Sequence, residues 1–169
     1  MKVKIGKNKF IGPKEKPYIV AEIGSNHNGS MSLSKKLIKS AKRAGAHCVK
    51  FQSFSESSLF SSKSYKINPG LKKMVSKYSM SEKQLIEMKN YSKRLNLDFA
   101  VTPFSKKEVD FLVNKVNVDF IKIASSDLNC YEFLEYISKK KRTIVLSTGL
   151  SNLSEIDEAI RTIEKNGNR

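Results

Sequence analysis

The stretch that decides the fold is FAVTPFSKKEVDFLVNKVNVDFIKIAS, residues 99–125. Residues 99–104 and 120–125 are short apolar runs, which predicts two strands. Between them, Ser105 and Glu108 have the spacing of a capping box that begins a helix. The apolar positions of that helix recur at helical spacing: Val109, Leu112, Val113 and Val116. A strand, a helix and a second strand in this order predict a βαβ unit with parallel strands.

The same unit recurs on both sides of this stretch. Further strands are predicted at residues 18–23, 48–52 and 143–148, and a segment of helical period follows each of them. Strict alternation over five units indicates a parallel sheet, either an open doubly wound sheet or a (β/α)8 barrel. No strand is followed by a G-x-G-x-x-G or Walker A loop, which weakens the open-sheet alternative.

The length favours a barrel that is not complete. A TIM barrel uses about 31 residues per unit and closes only at eight units. Five units and one long loop account for the 169 residues. We therefore predict an α/β fold in which residues 1–169 form the front part of a TIM (β/α)8 barrel, from its first strand to its fifth helix.

Composition limits the class of protein. The 32 Lys and Arg residues exceed the 16 Asp and Glu residues, so the net charge is +16. No apolar run approaches the ~18–20 residues of a membrane span, and residues 1–10 lack the apolar region of a secretory signal. Cys48 and Cys130 do not suggest a disulfide framework. We expect a cytoplasmic protein that has no membrane partner.

The positive charge also suits a protein that binds nucleic acid or another polyanion. The distribution argues against that class, because 27 of the basic residues are Lys, only 5 are Arg, and they are spread over the predicted helices and loops. Readout of bases and phosphates favours Arg. A solvated lysine-rich surface is the favoured interpretation, and its field would attract anionic substrates. A steep salt dependence of binding to random DNA would favour the alternative.

A long segment rich in Ser and Lys, residues 53–80, follows the second predicted strand. A long connection inside a compact domain is usually a functional loop or lid. We expect that role for it.

Polar side chains collect where the predicted strands end. These residues are Glu22, Lys50, Gln52, Thr102, Lys122, Ser125 and Ser147. In a parallel barrel the active site lies at this end of the strands. The sequence therefore predicts a site at the carboxyl-terminal rim.

Lys50 and Lys122 are the most informative of these residues. Each lies inside an apolar strand, and a buried ammonium group without a partner costs several kcal/mol. We predict that both lysines face a site and hold an anion such as a carboxylate or phosphate. The alternative is that they extend to solvent or pair with Glu22 for structural reasons alone.

Glu22 and the hydroxyl residues complete the predicted site. A carboxylate beside two lysines suits acid–base chemistry or binding of sugar hydroxyls, although it could equally be a structural partner of a lysine. Thr102, Ser125 and Ser147 can donate hydrogen bonds to phosphate oxygens, or can simply cap the helices that follow.

The two histidines, His27 and His47, are too few for an all-histidine metal site. His47 lies at a helix–strand junction and is predicted to be structural. For His27, in the loop after the first strand, a structural and a functional role are both open.

The sequence resembles the sialic acid synthase family, whose members make N-acetylneuraminate, legionaminate and pseudaminate. The resemblance runs over residues 18–160. Its landmarks are AEIGSNHNGS (21–30), VKFQ (49–52), TPFS (102–105), KIAS (122–125) and LSTG (146–149).

The resemblance implies a TIM barrel followed by a small antifreeze-like domain in a domain-swapped homodimer. It implies condensation of phosphoenolpyruvate with an N-acylated mannosamine-type sugar, with release of phosphate, in the biosynthesis of nonulosonic acids and surface polysaccharides. Residues that match the family's phosphoenolpyruvate site are Lys50, Thr102, Lys122, Ser125 and Ser147. Glu22 matches a residue that contacts the acceptor sugar and is the predicted catalytic residue. Gln52, Asn26 and His27 are further candidates.

The resemblance also implies a divalent metal, Mn²⁺ or Mg²⁺, held by histidines that lie beyond Arg169 in the family pattern. No metal ligand is therefore predicted within these residues. The family's sugar-contacting asparagine has no clear counterpart, because Leu71 rather than Asn68 occupies the aligned place. We expect these 169 residues alone to be inactive.

Three other enzymes remain as alternatives: a legionaminate synthase, a pseudaminate synthase and a Schiff-base aldolase. The acceptor could be the precursor of legionaminate or pseudaminate rather than N-acetylmannosamine. A Schiff-base aldolase would use Lys122 as its nucleophile.

Overall fold

The computed structural model describes residues 2–6 and 9–168. Its seven strands are β1 (Val3–Gly6), β2 (Lys9–Ile11), β3 (Val20–Gly24), β4 (Cys48–Ser53), β5 (Asp98–Pro103), β6 (Phe120–Ile123) and β7 (Thr143–Leu146). Strands β3 to β7 form one parallel sheet in which the spatial order is the chain order. A doubly wound sheet reverses direction at its switch point. The unreversed order therefore confirms the barrel-type prediction.

The helices are α1 (Met31–Arg43), α2 (Glu56–Leu59), α3 (Ser62–Ile67), α4 (Gly70–Tyr78), α5 (Glu82–Arg94), α6 (Lys106–Phe111), α7 (Tyr131–Ser138) and α8 (Leu153–Lys165). Residues 53–80, predicted as one long loop or lid, thus contain the three short helices α2 to α4. Within the described residues, no helix has the length and apolar character needed to cross a membrane.

Capping boxes begin α5 and α8, and the box predicted for α6 differs from them in one contact. The boxes that begin α5 and α8 are complete, since Gln84 and Glu155 each accept the backbone N–H of their N-cap residue. At α6 the Ser105 hydroxyl accepts the Glu108 N–H, but the Glu108 carboxylate accepts the N–H of Phe104 instead of that of Ser105. This carboxylate therefore reaches one residue further back than a capping box requires.

The end of α6 also departs from the sequence pattern. The helix continues as a π-helical turn, Leu112–Val116, and Asn117 closes it in the left-handed region at φ 54°. The apolar spacing of this segment is typical of an ordinary α-helix, so nothing in the pattern predicts the wider turn.

The two faces of the sheet have different partners because side chains alternate along each strand. Val49, Phe51, Val101 and Ile121 belong to the large core between the sheet and the surrounding helices. Cys48, Ala100 and Phe120 point to the other, inner face and form a smaller cluster. Residues two positions further along β4, β5 and β6 share this inner face, and they include Lys50, Thr102 and Lys122.

An N-terminal hairpin, which the sequence analysis did not predict, packs against the inner face at the amino-terminal end of the strands. Strands β1 and β2 pair antiparallel, and Ile5 lies buried against Cys48, Ala100 and Phe120. The Thr143 hydroxyl donates a hydrogen bond of 2.8 Å to the Lys4 carbonyl. The hairpin thus covers this end of the inner face and leaves the carboxyl-terminal end as the place for a site.

Candidate functional site

Most of the predicted strand-end residues meet on the inner face because the parallel strands are in register. Glu22 on β3 is paired with Lys50 on β4. Gln52 on β4 is paired with Thr102 on β5. Toward the opposite edge of the sheet, Lys122 on β6 is paired with Val145 on β7.

Lys50 is at the centre of one half of the site. Its ammonium group forms an ion pair with Glu22 and lies 3.4 Å from the Thr102 hydroxyl. The lysine is buried, with 9% of its surface exposed. A buried ammonium group requires such partners, and here a carboxylate and a hydroxyl from the two adjacent strands supply them.

Lys122 forms the other half. Its ammonium group donates to the Ser147 hydroxyl and, at 2.6 Å, to the Ile123 carbonyl. Burial lowers the pKa of Lys122 to about 8; the positive charge of Lys50 acts in the same direction, and Glu22 opposes both. The three charged groups therefore share one electrostatic environment in which positive charge is in excess. An anion that entered this environment would relieve the repulsion between the two lysines.

Glu22 is both paired and accessible. Half of its side-chain surface is exposed while one carboxylate oxygen contacts Lys50. Gly24, at φ 50°, makes room for it, because a Cβ at that position would lie 3.2 Å from the Glu22 Oε1 atom. The structure thus combines the two roles left open by the sequence, a partner of Lys50 and a carboxylate that a ligand can reach.

Ser125 is not joined to this group of side chains. Strand β6 ends at Ile123, two residues before the predicted end, and Ser125 begins a short 3-10 turn, Ser125–Asp127. Its side chain is half-buried and, within the described chain, makes no hydrogen bond. Ser147 also follows its strand, since β7 ends at Leu146, yet its hydroxyl reaches Lys122.

Asp127, to which the sequence analysis assigned no separate role, lies in the same turn. One oxygen of its carboxylate is buried and finds no hydrogen-bond partner among the described residues. Burial raises the pKa of Asp127 above its ordinary value. An unsatisfied carboxylate beside the strand ends is a group that a bound ligand or water would stabilise.

Two of the remaining candidates, Gln52 and Asn26, lie at the loop after β3, and their contacts differ. The Gln52 amide oxygen accepts a hydrogen bond of 3.1 Å from the Ser25 hydroxyl, which ties the end of β4 to this loop. Asn26 is exposed, and its N–H donates to the Ile23 carbonyl.

His27 is buried, with 1% of its surface exposed, and its Nδ1 atom accepts the Gly29 N–H at 3.1 Å. Burial lowers its pKa, which favours the neutral imidazole. This geometry supports the structural role of His27.

A divalent metal does not fit the side chains described here. Over residues 2–6 and 9–168, no three His, Cys, Asp or Glu side chains are grouped so that they could hold an ion. The two carboxylates at the rim lie apart along the sheet, since Glu22 is on β3 and Asp127 is in the turn after β6, and these strands are not neighbours.

Comparison with known proteins gives the family. Residues 37–169 match the NeuB family model. The chain is 39% identical over 162 residues to the N,N'-diacetyllegionaminic acid synthase of Campylobacter jejuni, covering 90% of this chain and 48% of that protein. It is 32% identical over 160 residues to the N-acetylneuraminate-9-phosphate synthase of Drosophila melanogaster, covering 89% and 42%.

The fold has a close match among solved structures. The N-acetylneuraminic acid synthetase of Leptospira borgpetersenii, crystallised with citrate, superposes with a TM-score of 0.89 at 27% identity, over 99% of this chain and 56% of that one. The chain spans about half the length of the curated relatives it matches. The strand order, the inner-face residues and the family match agree: this chain belongs to the NeuB family.

Proposed function

We propose that the protein containing this chain is a nonulosonic acid synthase, which condenses phosphoenolpyruvate with an N-acylated mannosamine-type sugar and releases phosphate. The observation that carries the proposal is the pair Lys50 and Lys122 on the inner face, each beside a hydroxyl: Thr102 on β5 for Lys50, and Ser147 just after β7 for Lys122. Two ammonium groups and two hydroxyls suit a substrate that carries both a carboxylate and a phosphate. Membership of the NeuB family supports the same substrate class.

In this proposal the lysines bind the anion and stabilise its reaction. Lys50 and Lys122 hold the carboxylate and phosphate, and Thr102 and Ser147 donate hydroxyl hydrogen bonds. When C3 of phosphoenolpyruvate attacks the sugar aldehyde, positive charge develops at C2. The lysines hold the phosphate and the carboxylate in place and so orient this oxocarbenium-like state. Water then adds to C2, and the C2–O bond to phosphate breaks, which leaves a ketone at C2 and free phosphate.

Glu22 has the complementary role. A carboxylate repels a trianionic substrate, so its benefit lies with the neutral acceptor sugar and with proton transfer at the aldehyde oxygen. Its exposed half leaves it free to contact that sugar while Lys50 holds the other oxygen. Glu22 is therefore the proposed catalytic acid–base group.

The proposal extends to features that the resemblance implies. They are a divalent cation, Mn²⁺ or Mg²⁺, a homodimer, an antifreeze-like domain and a cytoplasmic location. Loss of activity on chelation, restored by Mn²⁺ or Mg²⁺, and gel filtration of the full-length protein test the first two.

The experiment that tests the reaction offers the full-length protein phosphoenolpyruvate and a panel of acceptors. The panel contains N-acetylmannosamine, a 2,4-diacetamido analogue, and mannosamine without an acyl group as the control. We expect phosphate release in step with a nine-carbon product, detected by mass, with one acylated acceptor only. Absence of phosphate release with every acceptor would reject the proposal. The 39% identity to a legionaminic acid synthase favours the diacetamido sugar as the alternative acceptor.

The lowered pKa of Lys122 also favours a second candidate, a Schiff-base aldolase, because a partly neutral amine can attack a ketone. Borohydride treatment in the presence of pyruvate separates the two enzymes. A covalent adduct on Lys122 would support the aldolase, and an unmodified protein would remove it.

A further inference from the structure

Residues 54–79, which we call the strap, connect β4 to α5. The strap contacts the loop after β3 and the turn after β5. The strap contains α2, α3 and α4, and an ion pair of 3.2 Å between Lys72 and Glu56 joins the last of these helices to the first. Because β4 lies between β3 and β5 in the sheet, the neighbouring loops follow those two strands.

The first contact is made by Glu108, whose carboxylate accepts one hydrogen bond from the strap and one from the turn after β5. The Ser58 hydroxyl donates to the Glu108 Oε1 atom at 2.7 Å, and the Phe104 N–H donates to the Oε2 atom at 2.8 Å. Burial raises the pKa of Glu108, while these hydrogen bonds act in the opposite direction. A half-buried carboxylate keeps its charge at low cost only while both donors stay in place.

Ser58 links the Glu108 carboxylate to the backbone of the strap. Its hydroxyl accepts the Ser55 N–H at 2.8 Å while it donates to Glu108. The chain of donors thus runs from the first turn of α2 to the carboxylate, and each bond polarises the next.

Two further contacts hold the same segment. The rings of Phe54 and Phe104 pack edge to face with centroids 6.1 Å apart, beside the Glu108 contact. At the other end of the strap, Gly29 lies so near the Lys77 carbonyl that a Cβ would be 2.5 Å from the oxygen. The strap therefore lies closely against the loop after β3 and is fastened by hydrogen bonds to the turn after β5.

The turn that is hydrogen-bonded to Glu108 follows β5, the strand that carries Thr102 of the candidate site. Phe104 comes two residues after Thr102, whose hydroxyl contacts Lys50. We propose that Glu108 is a positioning residue that fastens the strap to this turn and thereby keeps Thr102 and Lys50 arranged for anion binding. The part that concerns anion binding rests on the proposed function.

The helix cap alone does not account for Glu108. Glu155 occupies the same position in α8 and uses one oxygen on the Asn152 N–H at 2.9 Å. Glu108 uses one oxygen on a backbone N–H and its second oxygen on a side chain 50 residues away. Glu155 is thus a matched control, because its substitution removes a helix cap and no strap contact.

The test compares the full-length wild type with Ser58→Ala, Glu108→Ala and the control Glu155→Ala. Hydrogen–deuterium exchange of peptides within residues 54–79 reports the fastening, and titration with phosphoenolpyruvate reports the site. Loss of a hydrogen bond to a charged group should speed exchange in the strap by about tenfold in both strap variants, and not in the control. The Kd for phosphoenolpyruvate should rise by about three- to tenfold in the same two variants.

Ser58→Ala keeps the cap of α6 and protects the test against simple unfolding of Glu108→Ala. Unchanged strap exchange in Ser58→Ala would overturn the fastening. Faster exchange with an unchanged Kd would overturn the positioning role. If the wild type itself bound no phosphoenolpyruvate, the proposed function would fall, and the exchange data would still decide whether Glu108 holds the strap.

Discussion

The two ends of the inner face differ in chemistry although they lie on the same strands, two residues apart. At the amino-terminal end, Cys48, Ala100 and Phe120 pack on Ile5 of the hairpin. At the carboxyl-terminal end the same strands carry Lys50, Thr102 and Lys122. The first region is apolar and covered; the second concentrates positive charge.

Charged groups occur at the amino-terminal end too, but there they form ion pairs and hydrogen bonds with one another. Asp98 accepts the Tyr18 hydroxyl at 2.8 Å and the Lys9 ammonium at 3.2 Å. Burial raises the pKa of Cys48 to about 12, so its thiol stays protonated and unreactive at neutral pH. The two ends therefore differ in charge balance rather than in polarity, and the excess of positive charge lies at the end proposed to bind the substrate.

The largest effect should appear when residues 1–169 are produced alone. Among residues 2–6 and 9–168, strands β3 and β7 each have one side without a partner strand, and Leu150 and Leu153 are 75% and 85% exposed. Unpaired strand edges and apolar surface promote association. We expect aggregation or a molten state and no activity, measured by light scattering and thermal melting. A monomer with a sharp cooperative melt at micromolar concentration would contradict this.

At the binding end, Glu22→Gln in the full-length protein should lower turnover by about 10²- to 10⁴-fold, the range for a positioned acid or base. Binding of phosphoenolpyruvate should change by only a few-fold, because the lysines remain. Steady-state turnover beside titration of phosphoenolpyruvate measures both. Glu87→Gln, which breaks the ion pair with Lys35 on the outer helices, is the control and should be neutral. Near-normal turnover in Glu22→Gln would leave this residue a structural partner of Lys50.

At the covered end, Phe120→Ala should act on stability. The fully buried ring packs with Cys48 and Ala100, and its loss should cost about 3–5 kcal/mol of unfolding free energy. The Kd for phosphoenolpyruvate of the folded fraction should stay within a few-fold. Denaturant unfolding and ligand titration test the contrast, which fails if the variant is as stable as the wild type.

Lys122→Ala should raise the KM for phosphoenolpyruvate by roughly 10- to 150-fold, because one contact to a charged group is worth ~1.5–3 kcal/mol. The exposed Lys36 on α1 offers a matched control, and Lys36→Ala should leave the KM unchanged. Initial-rate kinetics with both substrates varied give the answer. A rise confined to the KM of the acceptor sugar would show that the anion lies elsewhere.

The smallest effect concerns pH. Lys122 has a pKa of about 8 in the free protein, so it is cationic below that pH and loses its charge above it. Affinity for phosphoenolpyruvate should therefore be constant below pH 8 and fall by up to about tenfold per unit above it. Titration between pH 7 and pH 9.5 measures this. Lys122→Arg, whose charge does not titrate in this range, should give a flatter profile, and equal slopes in both proteins would contradict the assignment.

Much of the fold follows from local pattern. Residues 99–125 alone predict a βαβ unit, and the structure has β5, α6 and β6 there. The pairing of Glu22 with Lys50 also follows, because parallel strands of similar length bring their ends to one edge. A lysine inside an apolar strand is a signal that needs no structure to interpret, since its burial demands a partner.

The tertiary structure decided the rest. Strands β1 and β2 are too short and too rich in lysine to be predicted from periodicity, and Ile5 gains its role only from its contacts with Cys48, Ala100 and Phe120. Ser125 and Ser147 stand alike at the ends of predicted strands, yet only Ser147 reaches a lysine, because a 3-10 turn diverts Ser125.

Glu108 shows most clearly the difference between contacts set by local sequence and contacts set by tertiary structure. Its position three residues after Ser105 predicts a helix cap, and that spacing depends only on local sequence. The contact with Ser58 joins segments 50 residues apart, and it exists because the strap returns to the turn after β5. Local hydrogen bonding and side-chain periodicity depend on the order of residues, so the sequence by itself determined the five strands of the parallel sheet, most of the helices and the inward lysines. Contacts between distant segments depend on how the whole chain packs, so only the tertiary structure decided what fastens the strap and which of the hydroxyls reach the lysines.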